Sequence, residues 1–422
     1  EGFAAVALSW IILSLIGALP MYLTGEFPSY IDALFETISG FTTTGSSILS
    51  DVETLSRGTA FWRCFTHWIG GMGVLVFIMA VMPLSDSSSM HLMRAESPGP
   101  AVGKLVPKVK TTAMILYGIY VVFTVIEIIA LLIAGMPLFD SMTLTFGTVG
   151  TGGFGLLNSS IASYSTAVQI IITVFMIICS INFTVYYMFL IKRPKEALMC
   201  EEMRYYLLIV FGSALLIAFN IRASFASFGK AFQQAIFQVA SVISTTGFAT
   251  ADFNLWPEFS RMILVLLMFV GACAGSTGGG VKVSRLIIMV KSVRNEIMSV
   301  THPRSVQKVH MDGRRIPDNV VKTVLCYLAG YVVILIVSVL LISLDNFDMT
   351  TNFTAVMATF NNVGPGLNRV GPTGNFGGFS VLSKLVLMFD MLVGRLELYP
   401  MLVIFAPGLW RIHPHRHVGK VQ

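Results

Sequence analysis

The stretch VISTTGFATADF, from Val242 to Phe253, follows a run of apolar residues and places Thr245, Thr246 and Gly247 where lipid would be expected. Glycine and threonine at this depth expose backbone N–H and C=O groups that find no partner in hydrocarbon. Irregular backbone is tolerated there only where protein or a water-filled cavity surrounds it. The stretch therefore predicts a loop that lines a cavity inside a membrane protein.

The composition indicates a polytopic membrane protein. The 422 residues are 55% hydrophobic and 12% charged, whereas soluble domains carry about 25% charged residues. Eight apolar runs are long enough to cross roughly 30 Å of hydrocarbon. We place them near residues 3–24, 61–84, 111–135, 165–191, 204–221, 258–292 (interrupted), 318–344 and 379–408. The first run lacks a basic leader and a small-residue cleavage site, which favours a spanning helix over a signal peptide.

A shorter element lies between the first and second spans, the third and fourth, the fifth and sixth, and the seventh and eighth. It consists of about a dozen semi-apolar residues followed by a stretch rich in Gly, Thr and Asn. A helix of a dozen residues is about 18 Å long, too short to cross the hydrocarbon. These elements predict half-helices that enter the membrane and return through irregular loops.

The four short elements share one pattern. Each of four 16-residue segments carries a glycine 13 residues after its first residue: DALFETISGFTTTGSS (32–47), DSMTLTFGTVGTGGFG (140–155), QAIFQVASVISTTGFA (234–249) and TNFTAVMATFNNVGPG (351–366). The chain is therefore predicted to be four repeats of helix, half-helix, loop and helix arranged around one water-filled axis. The predicted repeats are 1–84, 85–192, 193–300, whose second helix is broken, and 301–422.

The distribution of basic residues predicts the orientation. Of the 28 lysines and arginines, 20 fall in the loops 85–110, 192–204, 282–322 and 411–422. Basic loops stay on the cytoplasmic side of membranes. The half-helices are therefore expected to enter from outside, with both termini of this chain in the cytoplasm. The formal net charge of +6 is accounted for by this topology and by acidic lipid headgroups, so no nucleic-acid partner is expected.

The loops carry the chemistry of a cation site. Backbone carbonyls can replace the water around an ion without a fixed charge that would trap it, and glycine tolerates the backbone angles this requires. The triplets are Thr43, Thr44 and Gly45; Thr151, Gly152 and Gly153; Thr245, Thr246 and Gly247; and Asn362, Val363 and Gly364. Oxygen-only ligands without a carboxylate favour an alkali cation over Ca²⁺. The alternative is that the glycines only permit close helix packing, but four loops at matched spacing disfavour it.

A second glycine-rich stretch interrupts the sixth span. This stretch is GACAGSTGGGVKVSR, from Gly271 to Arg285. It predicts a flexible loop that lies beneath the third of the cation-site loops and blocks or opens the pore. A glycine-kinked packing helix is the alternative. The candidate gate residues are Gly271, Gly275, Ser276, Thr277, Gly278, Gly279, Gly280, Lys282 and, from the eighth span, Arg395. Charges at membrane depth usually face a cavity or a partner. Arg395 is therefore predicted to face the pore, Lys384 to reach the outer interface, and Glu397 to form either a helix contact or a dimer surface.

The sequence contains no signature of an enzyme. No nucleophile and base, and no His/Asp metal set, occur at a usable spacing. The five cysteines are scattered without disulfide or zinc spacing. We expect no catalytic residue, no covalently bound cofactor and no metal other than the transported ion at the loop triplets.

Taken together, the loops TTTGSS, TVGTGGFG, STTGFATADF and NNVGPGLNRVGP, the stretch GACAGSTGGGVK and the motif GRLELYP resemble the Trk/Ktr/HKT potassium transporters, and most of all the bacterial TrkH branch. The resemblance covers essentially the whole chain. It implies an all-α polytopic fold of four pseudo-symmetric helix–pore-helix–helix repeats around one central pore, like that of potassium channels. It also implies filter glycines at Gly45, Gly153, Gly247 and Gly364, a gate at Gly271–Gly280 and a pore-facing Arg395.

The resemblance further implies the biological setting. Such proteins carry K⁺, and some carry Na⁺, across the bacterial inner membrane. They form homodimers in which each protomer has its own pore, and they bind a cytosolic TrkA-like ring of nucleotide-binding subunits. The alternative function is a K⁺-binding membrane subunit of an ATP-driven potassium pump.

Overall fold

The computed structural model describes residues 2–73, 109–302 and 307–405, and within these ranges the chain is mostly α-helical, as predicted. The first eight helices are α1 (Gly2–Leu23), α2 (Tyr30–Phe41), α3 (Arg57–Gly71), α4 (Val109–Ile133), α5 (Leu138–Val149), α6 (Thr166–Cys179), α7 (Phe183–Leu190) and α8 (Pro194–Leu198). The next eight are α9 (Glu201–Ile221), α10 (Phe228–Ile243), α11 (Glu258–Val270), α12 (Val283–Thr301), α13 (Asp318–Ile342), α14 (Met349–Phe360), α15 (Val381–Leu396) and α16 (Leu398–Val403). Single 3₁₀ turns lie at Arg222–Ser224, Phe253–Leu255, Ser343–Asp345 and Asn368–Val370.

Among the described residues, four helices are long and apolar enough to span a membrane. They are α1, α4, α9 and α13, with 22, 25, 21 and 25 residues. At 1.5 Å per residue the shortest is about 32 Å long, which suffices for about 30 Å of hydrocarbon. Apolar side chains such as Ile16, Val122 and Leu340 are exposed on their outer faces, as expected for helices that contact lipid. These helices are the predicted first spans of the four repeats.

Each long helix is followed by a short one, as predicted. The short helices α2, α5 and α14 have 12 residues, and α10 has 16. Side chains cap three of them, because Ser29, Ser227 and Asp348 accept hydrogen bonds from backbone amides in the first turn, which satisfies donors that the helix leaves free. The fourth, α5, begins after Pro137. Toward their C-terminal ends all four helices are buried.

The second helix is broken in the second, third and fourth repeats. The sixth span is interrupted between α11 and α12, as predicted, but the fourth and eighth spans were predicted to be continuous and this was wrong. Helices α6 and α7 meet at an angle of 88°, and α15 ends at Leu396, just before Glu397, whose φ is 69°. Helix α3 forms the described part of the second span and ends at Gly71. Residues 74–84 of the predicted second span and residues 406–408 of the predicted eighth span lie outside the described residues.

The four repeats close on themselves. Each short helix packs against the long helix before it and against the second helix after it. In addition, the second helix of each repeat packs against the short helix of the next, in the pairs α3 with α5, α6 with α10, α11 with α14, and α15 with α2. The last pair joins the fourth repeat to the first. The helices therefore surround one axis.

A small hairpin is the only β-structure in the described ranges. Strand β1 (His310–Met311) pairs antiparallel with β2 (Arg314–Arg315), with His310 opposite Arg315. The Glu201 carboxylate accepts hydrogen bonds from the Lys291 ammonium at 2.5 Å and from the Asp312 amide at 3.3 Å. These contacts fix the hairpin against the start of α9.

Candidate functional site

The loops after α2, α5, α10 and α14 share one backbone conformation. The first residue of each triplet is left-handed, with φ of 54° at Thr43, 54° at Thr151, 59° at Thr245 and 54° at Asn362. The glycine that closes each triplet also has positive φ, 80° at Gly45, 79° at Gly153, 86° at Gly247 and 97° at Gly364. A non-glycine residue held in such a conformation costs about 1–3 kcal/mol. Such strain in four matching places marks a candidate functional site.

One hydrogen bond recurs in every loop and ties it to its own helix. The amide of the middle triplet residue donates to the carbonyl five residues earlier: Thr44 to Ser39 at 2.8 Å, Gly152 to Gly147 at 2.7 Å, Thr246 to Ser241 at 2.9 Å and Val363 to Ala358 at 2.8 Å. Each loop is therefore a continuation of the C-terminal end of its short helix. The negative ends of four helix dipoles converge on the loops and favour a cation near them.

The four triplets form a closed ring, which we call the loop ring. A Cβ added to each triplet glycine would collide with the carbonyl oxygen of the middle residue of the next triplet: Gly45 with Gly152, Gly153 with Thr246, Gly247 with Val363, and Gly364 with Thr44, the last at 2.7 Å. Each glycine is therefore needed for close approach as well as for its backbone angle. The side chains add two links between the fourth loop and the first, because Ser46 Oγ donates to the Gly364 carbonyl at 3.0 Å and Asn362 Nδ2 to Thr44 Oγ1 at 2.9 Å.

A cavity of about 150 Å³ lies against the loop ring. All four triplet glycines line it, together with the segments that follow the triplets, including residues 46, 47, 49, 50 and 370–376. At the protein surface, Asp51 holds together two of the segments that surround this cavity. Its Oδ1 accepts hydrogen bonds from Asn158 Nδ2 at 2.8 Å and from the Glu53 amide at 3.0 Å. These two hydrogen bonds stabilise the ionised carboxylate and hold the pKa of Asp51 below its usual range, with the larger effect from Asn158 and the smaller from Glu53. This exposed carboxylate is therefore ionised at neutral pH.

The interruption between α11 and α12 forms a second irregular segment, the glycine loop, Gly271–Lys282. It contacts the loop ring directly. The Gly279 amide donates to Thr245 Oγ1 at 2.6 Å, and a Cβ on Gly278 would lie 2.8 Å from the Ser244 carbonyl. Gly279 also lies against the Asn361 carbonyl. The sequence placed this segment beneath the third loop; the structure places it against the third and the fourth.

Two of the predicted gate residues are basic and both bind carbonyl oxygens. Arg395 Nη1 donates to the Thr277 carbonyl at 2.7 Å, and Nη2 donates to the Gly71 carbonyl at 2.7 Å and to that of Gly70. Arg395 thus joins the glycine loop to the end of α3. Lys282 is buried within the glycine loop, where its ammonium donates to the Gly278 carbonyl.

Sequence reasoning missed several residues that hold the glycine loop. Glu202 Oε1, buried at the start of α9, accepts the Ala274 amide at 2.7 Å and the Ser284 amide at 3.0 Å. The break after α6 supplies two further contacts, because the Thr277 hydroxyl donates to the Cys179 carbonyl at 3.1 Å and the Phe183 amide to the Gly275 carbonyl at 3.0 Å. An acidic residue in the first turn of an apolar span was the available signal for Glu202.

Of the remaining acidic and basic side chains of the eighth span, Lys384 and Glu397 form ion pairs and Asp390 accepts a hydrogen bond. Lys384 was predicted to reach the outer interface, but it is only 8% exposed and its Nζ lies 2.6 Å from Asp32 Oδ1. Glu397 forms a helix contact, one of its two predicted roles, because its Oε2 pairs with Arg285 at 2.5 Å. Asp390 accepts a hydrogen bond from Ser338 Oγ at 2.8 Å. Long-range pairing of this kind neutralises charge at membrane depth.

These features define a class: a polytopic membrane protein in which four re-entrant loops of matching geometry meet at one axis. Residues 1–412 match the family model TrkH, described as a cation transport protein. The chain belongs to the TrkH family of cation transport proteins.

Individual relatives agree with this assignment. The chain is 36% identical to the Trk system potassium uptake protein TrkH of Salmonella typhimurium, over 97% of this chain and 86% of that protein. It is 32% identical to the Trk system potassium uptake protein TrkG of Escherichia coli, over 97% and 85%. Among solved structures it matches the potassium transporter TrkH of Vibrio parahaemolyticus with a TM-score of 0.86 and 33% identity, over 97% of this chain and 86% of that one.

Proposed function

We propose that this chain carries K⁺ into the cell through the loop ring, which acts as an ion filter. The observation that carries the proposal is the closed ring, in which each triplet glycine lies against the carbonyl oxygen of the next triplet. Carbonyl dipoles aimed at one axis replace the hydration shell of an alkali cation. The relatives at 36% and 32% identity are Trk system potassium uptake proteins, which supports K⁺ as the ion.

The electrostatics of the ring favour a weakly held cation. Four helix C-termini direct partial negative charge at it, and the triplets contain no ionised side chain. A site without a formal negative charge binds a cation strongly enough to admit it and weakly enough to release it. Thr43 Oγ1 and Asn362 Oδ1 are buried and have no hydrogen-bond partner among the described residues, so both are free to ligate an ion.

We propose that the glycine loop is the gate of this pore. Its contacts with Thr245 and with the Asn361 carbonyl hold it against the ring, and Arg395 adds a fixed positive charge bound to the Thr277 carbonyl. A cation leaving the ring meets both. Once a few of these hydrogen bonds break, the glycine loop is able to move away from the loop ring, because its five glycines allow the backbone to adopt other angles.

The family resemblance carries the proposed setting. We propose that the protein lies among lipids of the bacterial inner membrane as a homodimer with one pore in each protomer. The basic loops, and with them both termini of this chain, would lie in the cytoplasm, where a TrkA-like nucleotide-binding ring would bind and move the glycine loop. The repeats would be 1–84, 85–192, 193–300 and 301–422.

Flux into proteoliposomes that contain only the purified chain tests the function. We expect K⁺ to move down its gradient without ATP and Na⁺ to compete weakly. Protein-free liposomes give the background. Gly118→Ala serves as a matched control for later variants, because a Cβ at this helical glycine meets nothing within 4 Å. Folded protein without K⁺ flux, even after deletion of Gly275–Gly280 to remove the proposed gate, would contradict a passive pore and favour the pump-subunit alternative.

A further inference from the structure

Two side chains one turn apart on α3, Arg63 and His67, lie in the seam between the first and second loops. Both are buried. The His67 ring contacts two repeats: Nδ1 lies 2.8 Å from the Gly40 carbonyl of α2, and the Phe154 amide, just after the second triplet, donates to Nε2 at 3.2 Å. The imidazole also packs against the Phe154 ring, with centroids 4.2 Å apart and the ring planes tilted by 36°.

These contacts fix the chemical state of the imidazole. Because Nε2 accepts a hydrogen bond, it carries a lone pair and the ring is neutral. Nδ1 then carries the ring proton and donates a hydrogen bond to the Gly40 carbonyl. His67 is therefore a bridge with one donor toward the first repeat and one acceptor toward the second.

The second loop lacks a support that two other loops have. In the first loop the hydroxyls of Thr42 and Thr44 lie 2.7 Å apart, and in the third those of Ser244 and Thr246 also lie 2.7 Å apart. The two matching positions of the second loop are glycines, Gly150 and Gly152.

His67 occupies the space that side chains at positions 150 and 152 would fill. A Cβ on Gly152 would collide with the His67 ring, and a Cβ on Gly150 would lie 2.5 Å from the His67 carbonyl oxygen. His67 thus supplies from a neighbouring helix the packing and hydrogen bonding that the first and third loops obtain from their own hydroxyl pairs.

An ion pair extends the same support outward. Arg63 Nε pairs with Glu36 Oε1 at 2.5 Å, Arg63 Nη1 donates to the Gly155 carbonyl at 3.1 Å, and the guanidinium lies over the Phe154 ring at 3.5 Å. Glu36 also accepts hydrogen bonds from Ser47 Oγ at 2.9 Å and from the Ile48 amide at 3.0 Å. The pair therefore joins the segment after the first triplet to the segment after the second.

We propose that His67, supported by the Glu36–Arg63 pair, is a positioning residue that holds the second triplet in the loop ring and so contributes to discrimination between K⁺ and Na⁺. The proposal rests on the proposed filter function. Selectivity depends on the positions of the four carbonyl oxygens relative to one another, and the second loop, although bonded to its own helix, owes part of its placement to a side chain outside it. His67 has no contact with the ion in this account; it acts through Gly152 and Phe154.

Three variants and one control test the proposal. His67→Leu keeps the bulk but removes both hydrogen bonds, and His67→Asn keeps polar groups on a stem too short to bridge both partners. His67→Gln retains one donor and one acceptor at a similar reach and is the conservative rescue. Trp62→Phe is the control, since it removes a hydrogen bond from the same helix to the Gly17 carbonyl of α1 at 3.0 Å, away from the ring.

Two readouts are needed, the K⁺/Na⁺ flux ratio in proteoliposomes and hydrogen exchange of the Phe154 amide in the purified protein. We expect His67→Leu and His67→Asn to lower the flux ratio about tenfold and to speed exchange by about the same factor, the change that follows loss of a buried hydrogen-bond partner. His67→Gln is expected to restore both, and Trp62→Phe to leave both unchanged.

The outcomes separate this inference from the filter function. If neither the wild-type chain nor the Gly275–Gly280 deletion gives K⁺ flux, the filter function fails, and exchange at Phe154 alone then decides whether His67 holds the loop. If the wild type is selective but the Leu and Asn variants match it in ratio and exchange, the positioning role is overturned. Equal loss in the Gln and Leu variants would also overturn it, because hydrogen bonding would not be the cause.

Discussion

The loop ring and the glycine loop are both irregular backbone at membrane depth, but they are held in different ways. Each triplet of the ring bonds to its own helix, with the middle amide donating to a carbonyl only five residues earlier. The glycine loop depends on residues far away in the chain: Thr245, Glu202 and Arg395 are 34, 72 and 118 residues from their partners in it.

This difference separates a fixed element from a movable one. The bonds of a triplet continue those of a helix end, so the triplet cannot move without fraying that helix. The bonds that join the glycine loop to side chains on other elements can each break while every helix stays intact. Local bonding therefore suits a filter, whose oxygens must keep their places, and distant bonding suits a gate.

Substitution of a ring glycine should have the largest effect. Gly153 has φ of 79° and faces the Thr246 carbonyl without room for a Cβ, so Gly153→Ala must displace one of two loops. We expect K⁺ flux to fall by about a hundredfold, because backbone strain of roughly 1–3 kcal/mol adds to the overlap. Flux into proteoliposomes measures it, with Gly118→Ala as the control. Wild-type flux in the Gly153 variant would contradict a close-packed ring.

Substitution of a second ring glycine, Gly247, should also alter selectivity. Gly247→Ser places a side chain where the Val363 carbonyl and the Pro365 ring lie. We expect the K⁺/Na⁺ flux ratio to fall by about tenfold, since displaced carbonyls discriminate less between the two ions. Competition of Na⁺ with K⁺ during uptake gives the ratio. An unaltered ratio would count against the third loop as part of the filter.

Deletion of Gly275–Gly280 should act in the opposite direction. It removes the residues that contact Thr245 and Arg395 and leaves the ring intact. Passive K⁺ flux is expected to rise by about tenfold, because flux follows the fraction of open molecules, while the K⁺/Na⁺ ratio stays near the wild-type value. Unchanged flux in well-folded protein would remove the gate role.

A single anchor of the glycine loop should have the smallest effect. Glu202→Gln replaces a carboxylate that accepts two amides of this region with a neutral and weaker acceptor. We expect passive flux to rise about threefold, in line with a loss of less than one charged hydrogen bond. Glu201→Gln is the matched control, because the neighbouring Glu201 contacts the hairpin instead. Equal effects of the two variants would mean that helix α9, and not its bond to the loop, is responsible.

The sequence predicted the elements whose cause is local. The 13-residue spacing to Gly45, Gly153, Gly247 and Gly364 located all four short helices and their loops, since helix length, glycine and the following polar residues all lie within one segment. The interruption after Val270 was equally visible, because five glycines lie within ten residues.

The features that the sequence did not reveal arise from distant contacts. The break at residues 180–182 contains no glycine or proline; there Phe183 and Cys179 bond to the glycine loop instead of continuing one helix. Glu397 breaks the eighth span with φ of 69° while paired to Arg285, and Lys384 pairs with Asp32 across 352 positions. His67 likewise gave no signal, because its partners Gly40 and Phe154 come together only when the first two repeats pack.

The central claim is that the four loops form one cation site, and a heavy K⁺ substitute tests it most directly. Crystals grown with Rb⁺ or Tl⁺ in place of K⁺ reveal the ion by anomalous scattering. We predict a peak on the axis of the ring, among the carbonyl oxygens of Thr44, Gly152, Thr246 and Val363, and a weaker one when Na⁺ competes. An ordered ring without a peak, or a peak confined to another part of the protein, would contradict the claim.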